Sequence, residues 1–137
     1  MSYEVFTAEY IGQPNHIALY IETNPSPDDQ DRSGRLYHVI GTILQGMKYA
    51  SPRVKDPAFS TSFVRGTKKM IGTIAASDLE RFETECCKAV APPALQMTVT
   101  GQPLDPSRPL YRCNQWLDDV VKLAFEKGIF QNEGGEG

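Results

Sequence analysis

Short runs of β-branched, aromatic and aliphatic residues, broken by Gly, Pro and Asp, fill the first half of the chain and predict strands. Tyr3 to Ile11 is the first, ending at Gly12-Gln13-Pro14. His16 to Thr23 is mostly apolar and predicts a buried strand. Asn24 to Gly34 holds two prolines, three aspartates and a glycine, the composition of a solvated hairpin connection. Arg35 to Ile43 predicts the returning strand. Met47 to Val54 predicts another, weakened by Pro52, which has no N–H to give to a ladder. Phe63 to Ile74 has strand character at both ends of Gly66-Thr67-Lys68-Lys69, which fits a hairpin or one bent strand.

In the second half the apolar period lengthens to that of a helix. Ser77-Asp78-Leu79-Glu80 has the form of a capping box, and Leu79, Phe82, Cys86 and Val90 then share one face up to Pro92-Pro93. Leu95 to Val99 fits a strand, and the proline-rich stretch from Gly101 to Pro109 a loop. A second amphipathic helix starts near Cys113 and runs through Trp116, Leu117, Val120, Val121 and Ala124, with Lys127 in its last turn and Gly128 as its stop. The expected fold class is α+β, an antiparallel sheet packed against two amphipathic helices. No internal linker divides the chain, so residues 1–130 read as one domain and the polar, Gly-rich residues 131–137 as a disordered tail.

Composition narrows the function classes. A net charge of −3 gives no basic excess for nucleic acid. No run approaches the ~18 consecutive apolar residues of a membrane span, and MSYEVFTAEY lacks the basic start of a signal peptide. The expected compartment is the cytoplasm, where thiols stay reduced. Three cysteines, two of them adjacent, and two histidines, with no Cys-x-x-Cys, argue against structural zinc. No phosphate-cradling glycine motif and no Gly-x-Ser-x-Gly is present, and no cofactor is expected.

Chemistry concentrates on three residues. Cys113 opens the last helix, where unpaired first-turn N–H groups and the helix dipole favour a thiolate and could hold an oxyanion. Arg112 beside it adds a cation. The bland alternative is a small buried side chain. Cys86 shares the apolar face of the first helix and reads as core. A cysteine nucleophile needs a base, and only His16 and His38 exist. They lie on two strands that pair as neighbours if the polar stretch between them is a hairpin loop. If His16 also meets Cys113 it can accept the thiol proton, and His38 is the candidate to fix its tautomer. Each histidine, taken singly, also fits a strand residue bonded to backbone. Arg65, Lys68 and Lys69 read as a solvated hairpin tip, and Trp116 as the residue that packs the helix onto the sheet. Asp118 and Asp119 sit in the first turns of that helix, where negative charge suits the dipole.

The string His16-Ile17-Ala18-Leu19-Tyr20-Ile21, a hairpin, and then Leu36-Tyr37-His38-Val39-Ile40-Gly41 resembles the histidine strand pair of circularly permuted papain-like (NlpC/P60-type) thiol proteins. These include the lecithin–retinol acyltransferase-like proteins and the PPPDE-type peptidases. Arg112-Cys113-Asn114-Gln115-Trp116 is similar to their Asn-Cys-x-x-Phe helix start, with Arg112 in place of asparagine and Trp116 in place of phenylalanine. The order His16, His38, Cys113 matches the permutation. The resemblance implies a permuted papain-like architecture, Cys113 as nucleophile, His16 as general base and His38 as the third polar position. The implied activity is a cysteine-dependent hydrolase or acyltransferase acting on an amide, ester or thioester carbonyl of a small-molecule or peptide substrate. Tyr20, Tyr111 and Gln115 are the candidates for oxyanion or substrate contacts. The alternative is a non-catalytic binding or interaction protein on the same scaffold.

Overall fold

The strands form because their apolar residues can be buried on both faces. A computed structural model describes residues 1–12, 15–24, 32–98 and 100–132. Its strands are β1 (Ser2–Tyr10), β2 (His16–Asn24), β3 (Ser33–Thr42), β4 (Gly46–Ala50), β5 (Arg53–Lys55), β6 (Lys69–Ala75) and β7 (Phe130–Gln131). They build one curled antiparallel sheet in the order β4-β3-β2-β1-β6-β7, with β5 also paired to β3. The expected hairpin is present: Leu19 lies opposite Tyr37 and Tyr20 opposite Leu36. Gly34 is required there, because a Cβ would overlap the Ile21 carbonyl oxygen of β2.

Alternation along β1, β2 and β3 divides the core. Val5, Leu19, Ile21, Tyr37 and Val39 face the helices, joined by Ile74, Phe82, Trp116, Leu117, Val120 and Phe130. Ala18, Tyr20 and Leu36 form a smaller cluster on the other face with Phe6, Tyr10 and Val54.

The last helix, α2, spans Cys113–Glu126 and buries Cys113, Trp116, Leu117, Val120 and Ala124, a stripe at helical spacing. Gly128 stops it at φ +73°, where its N–H reaches the Phe125 carbonyl and the Ile129 N–H reaches that of Ala124. The chain then returns to the sheet, with Phe130 opposite Ile74 and Gln131 opposite Thr73. Gln131 is therefore part of the fold, not of a disordered tail; residues 133–137 lie outside the described ones.

The first helix departs from its expected form. The chain passes through a 3₁₀ turn at Ala76–Asp78, one α turn, α1 (Leu79–Phe82), and a π turn at Glu83–Cys87 closed by the Lys88 N–H on the Glu83 carbonyl. No side-chain bond caps it, so the Ser77–Glu80 box is not formed. The π turn carries one extra residue, and both Cys86 and Cys87 end up wholly buried.

Three other expectations change. Met47 to Val54 is two strands, split at Ser51-Pro52. Phe63 pairs with β1 at an isolated bridge to Tyr10, and the strand proper starts at Lys69 after a turn at Gly66. The expected strand from Leu95 is a single bridge between Met97 and Pro103, and Val99 lies outside the described residues. The expected connection at 24–34 is likewise shortened by the strand ends, and its residues 25–31 are not among those described. Among the described residues, no helix is long and apolar enough to cross a membrane.

Candidate active site

The start of β2, the far end of β3 and the start of α2 meet at one cleft. His16 is the first residue of β2 and His38 lies within β3, opposite Ala50 of β4. His16 Nε2 and His38 Nδ1 are 2.8 Å apart, with ring centroids separated by 5.0 Å. Tyr10 flanks His16 at 6.3 Å between rings. Both imidazoles are half-buried. Burial pushes the pKa of His16 down from 6.5. Burial, and then the neighbouring His16 charge, pushes His38 down to about 4. Both rings are therefore neutral at pH 7, and their contact takes one proton. If His16 Nε2 carries it and donates to His38 Nδ1, the His16 Nδ1 lone pair is free to act as a base.

The lowered values make a stability prediction. Above pH 6.5 both histidines are neutral in the folded and unfolded chain. Below it the unfolded chain takes up protons that the folded His38 refuses until about pH 4. Stability is therefore lost as pH falls through that window. The urea midpoint of the protein should drop more between pH 7 and pH 5 than that of His38→Gln.

Cys113 is 8% exposed. Together with His16, Arg112, Gly41, Met47 and Met97 it lines a cleft of about 340 Å³. Strand alternation assigns the imidazoles to the Tyr20 face, whereas Cys113 packs in the helix-side cluster. The two meet at one cleft because His16 stands at the very end of its strand. No hydrogen bond joins Cys113 Sγ to either ring.

The helix start is held from several sides. The Arg112 backbone is extended, and its N–H donates to Gln115 Oε1 at 2.8 Å. The Trp116 N–H closes the first turn on the Arg112 carbonyl, and its indole N–H donates to the Val90 carbonyl at 3.0 Å. Gln96 clamps Tyr111, accepting its N–H at 2.6 Å and donating to its carbonyl at 2.7 Å. The Gln96 N–H reaches Ile43 and the Met47 N–H reaches Pro93, which ties the proline-rich segment to the β3–β4 hairpin. Gln96 was not visible as a positioning residue in the sequence, because a lone glutamine between prolines has no periodic or motif signal.

Residues 5–131, nearly the whole chain, match the sequence family DUF6540, described as a family of unknown function. The chain belongs to that family. No curated protein and no solved structure matches it significantly.

Three residues expected at the site of this DUF6540 protein lie elsewhere or act otherwise. Tyr20 is wholly buried on the sheet face away from Cys113, and its hydroxyl has no partner among the described residues, so it does not reach the cleft. Tyr111 lines a neighbouring cavity of about 590 Å³ and donates its hydroxyl to Asp119 at 2.5 Å. Burial, and then that carboxylate, raises its pKa. Gln115 spends its carbonyl on the helix cap. Lys68 also departs from the solvated tip. It lies 3.0 Å from Asp56 and 4.4 Å over the Phe6 ring, with Arg32 and Glu22 completing the cluster. Arg65 and Lys69 are exposed as expected. Burial pushes the Cys86 thiol up to about 11 and Cys87 further still, so neither is a nucleophile. Among the described residues, no three His, Cys, Asp or Glu side chains gather as a metal-ligand set.

Proposed function

We propose that this DUF6540 chain is a cysteine-dependent hydrolase or acyltransferase of permuted papain-like architecture, acting on an amide, ester or thioester carbonyl. The observation that carries the reading is His16, held 2.8 Å from His38, lining the same cleft as a cysteine at a helix N-terminus. His38 fixes the His16 tautomer. His16 Nδ1 takes the Sγ proton, and the thiolate attacks the carbonyl carbon. The oxyanion is held by first-turn N–H groups of α2. Collapse of the adduct expels the leaving group, which takes the proton from His16. Water or an acceptor alcohol or amine, deprotonated by His16, then cleaves the thioester and restores the thiol. A reducing compartment such as the cytoplasm suits this chemistry.

One observation favours the non-catalytic alternative: Sγ makes no hydrogen bond to an imidazole here. Hydrogen bonds of this kind are often long until substrate closes the site. Alkylation by iodoacetamide separates the readings. An activated Cys113 reacts rapidly at pH 6, where an ordinary thiol with a pKa of about 8.5 is only about 0.3% thiolate. A rate at pH 6 no faster than that of a free cysteine overturns the enzyme reading, and unimpaired function in Cys113→Ala would point to a binding role.

A further inference from the structure

We propose that Arg112 makes the Cys113 cleft selective for acyl compounds that carry a carboxylate beside the reacting carbonyl. This rests on the reading of Cys113 as nucleophile and goes beyond it in naming the substrate class. Arg112 is half-buried, precedes Cys113 directly and lines the same cleft. Other partly buried cations of the molecule have partners: Arg32 and Lys68 pair with Glu22 and Asp56, and Arg35 donates to the Ser51 carbonyl. Among the described residues, the Arg112 side chain has no carboxylate and no hydrogen-bond acceptor. Its cap contacts use only backbone atoms, the N–H to Gln115 and the carbonyl to Trp116, so the guanidinium is not needed to hold the helix.

The rest of the lining sharpens the inference. Ile43, Leu44, Met47 and Met97 are apolar, and no other lining residue carries a fixed charge. A half-buried arginine beside apolar side chains, without a partner among the described residues, is the group that a planar carboxylate satisfies best through two parallel N–H···O bonds. A substrate with an apolar arm and a carboxylate close to its carbonyl would fill both parts. Neutral analogues of the same shape would leave the guanidinium unsatisfied and bind less well.

Two alkylating reagents that share a leaving group and differ in charge test this through the change in the ratio of their rates. Iodoacetate carries a carboxylate next to the reacting carbon, and iodoacetamide is its neutral counterpart. In both, the sulfur of Cys113 forms a bond to the CH₂ carbon, iodide leaves, and the thiol proton passes to His16. Any effect of Arg112 on thiolate formation cancels in the ratio of the two rates, read by mass spectrometry at Cys113. In Arg112→Gln the iodoacetate-to-iodoacetamide ratio should fall about fivefold, the scale of one nearby unit charge in a partly screened site. Arg112→Lys should keep most of it. In the unmutated protein the ratio should also fall as salt approaches about 1 M, where the screening length is only about 3 Å. Fast iodoacetamide labelling with a ratio unmoved by Arg112→Gln and by salt overturns the carboxylate inference and leaves the nucleophile reading standing. Slow labelling of Cys113 by both reagents overturns the two together.

Discussion

His16→Ala should slow the iodoacetamide labelling of Cys113 at pH 6 by roughly two orders of magnitude, back to the rate of a thiol with a pKa of about 8.5. Nothing else on the cleft wall can take the proton. The Arg112 guanidinium has only donors and no lone pair to accept it, and His38 is not among the residues that line the cleft. On a turned-over substrate the same substitution should lower kcat by about 10²–10⁴-fold, the usual contribution of a general base. His38→Gln should do less, because its side-chain oxygen can still accept from Nε2 and keep the tautomer. The fold should survive His16→Ala, since a half-buried hydrogen bond contributes only about 1 kcal/mol. Equal labelling rates in the parent and in His16→Ala, with both proteins folded by circular dichroism, would separate Cys113 from His16.

Trp116→Ala should be the most destabilising change near the site. The indole is 1% exposed and packs 5.9 Å from Tyr49, ring to ring, in the helix-side core. Removing so large a buried side chain costs about 3–5 kcal/mol. It also leaves the Val90 carbonyl without its indole donor, worth about 1–3 kcal/mol more if water does not reach it. Trp116→Phe separates the two parts, since it keeps most of the packing and loses the hydrogen bond. Urea unfolding should show the alanine variant far below the phenylalanine one. A loss under about 1 kcal/mol for alanine would mean that the helix start is held without the indole, against the usual magnitude for a core aromatic.

The hairpin of β2 and β3 and the helix from Cys113 were legible because each carries an uninterrupted local pattern: an apolar run, or a stripe at helical spacing closed by Gly128. The first helix was not. Its apolar spacing points to burial of Phe82 and Cys86, but nothing local in Glu83 to Cys87 announces a π turn, which here buries two successive residues, Cys86 and Cys87. The two histidines could be placed on neighbouring strands from the sequence, and the contact between them follows from the register. The oxyanion candidates failed for a different reason. Tyr20 shares the imidazole face of β2, but it stands further along the strand, buried against Phe6 and Leu36 in the cluster on the other side of the sheet from Cys113. Tyr111 and Gln115 lie beside Cys113 in the chain, yet the Tyr111 hydroxyl is taken by Asp119 and the Gln115 carbonyl by the Arg112 N–H, partners that composition does not reveal. Lys68 reads as solvated from its place in a basic cluster beside a turn, and only the tertiary fold brings Asp56 and Glu22 to it.

The extra residue in the π turn has a practical outcome for anyone who handles the protein. It hides two of its three sulfurs completely, side by side, beneath the sheet. A reagent small enough to enter the cleft meets a single thiol while the chain is folded and three once it is not. The number of adducts per molecule thus works as an internal gauge of integrity, with no engineered cysteine needed.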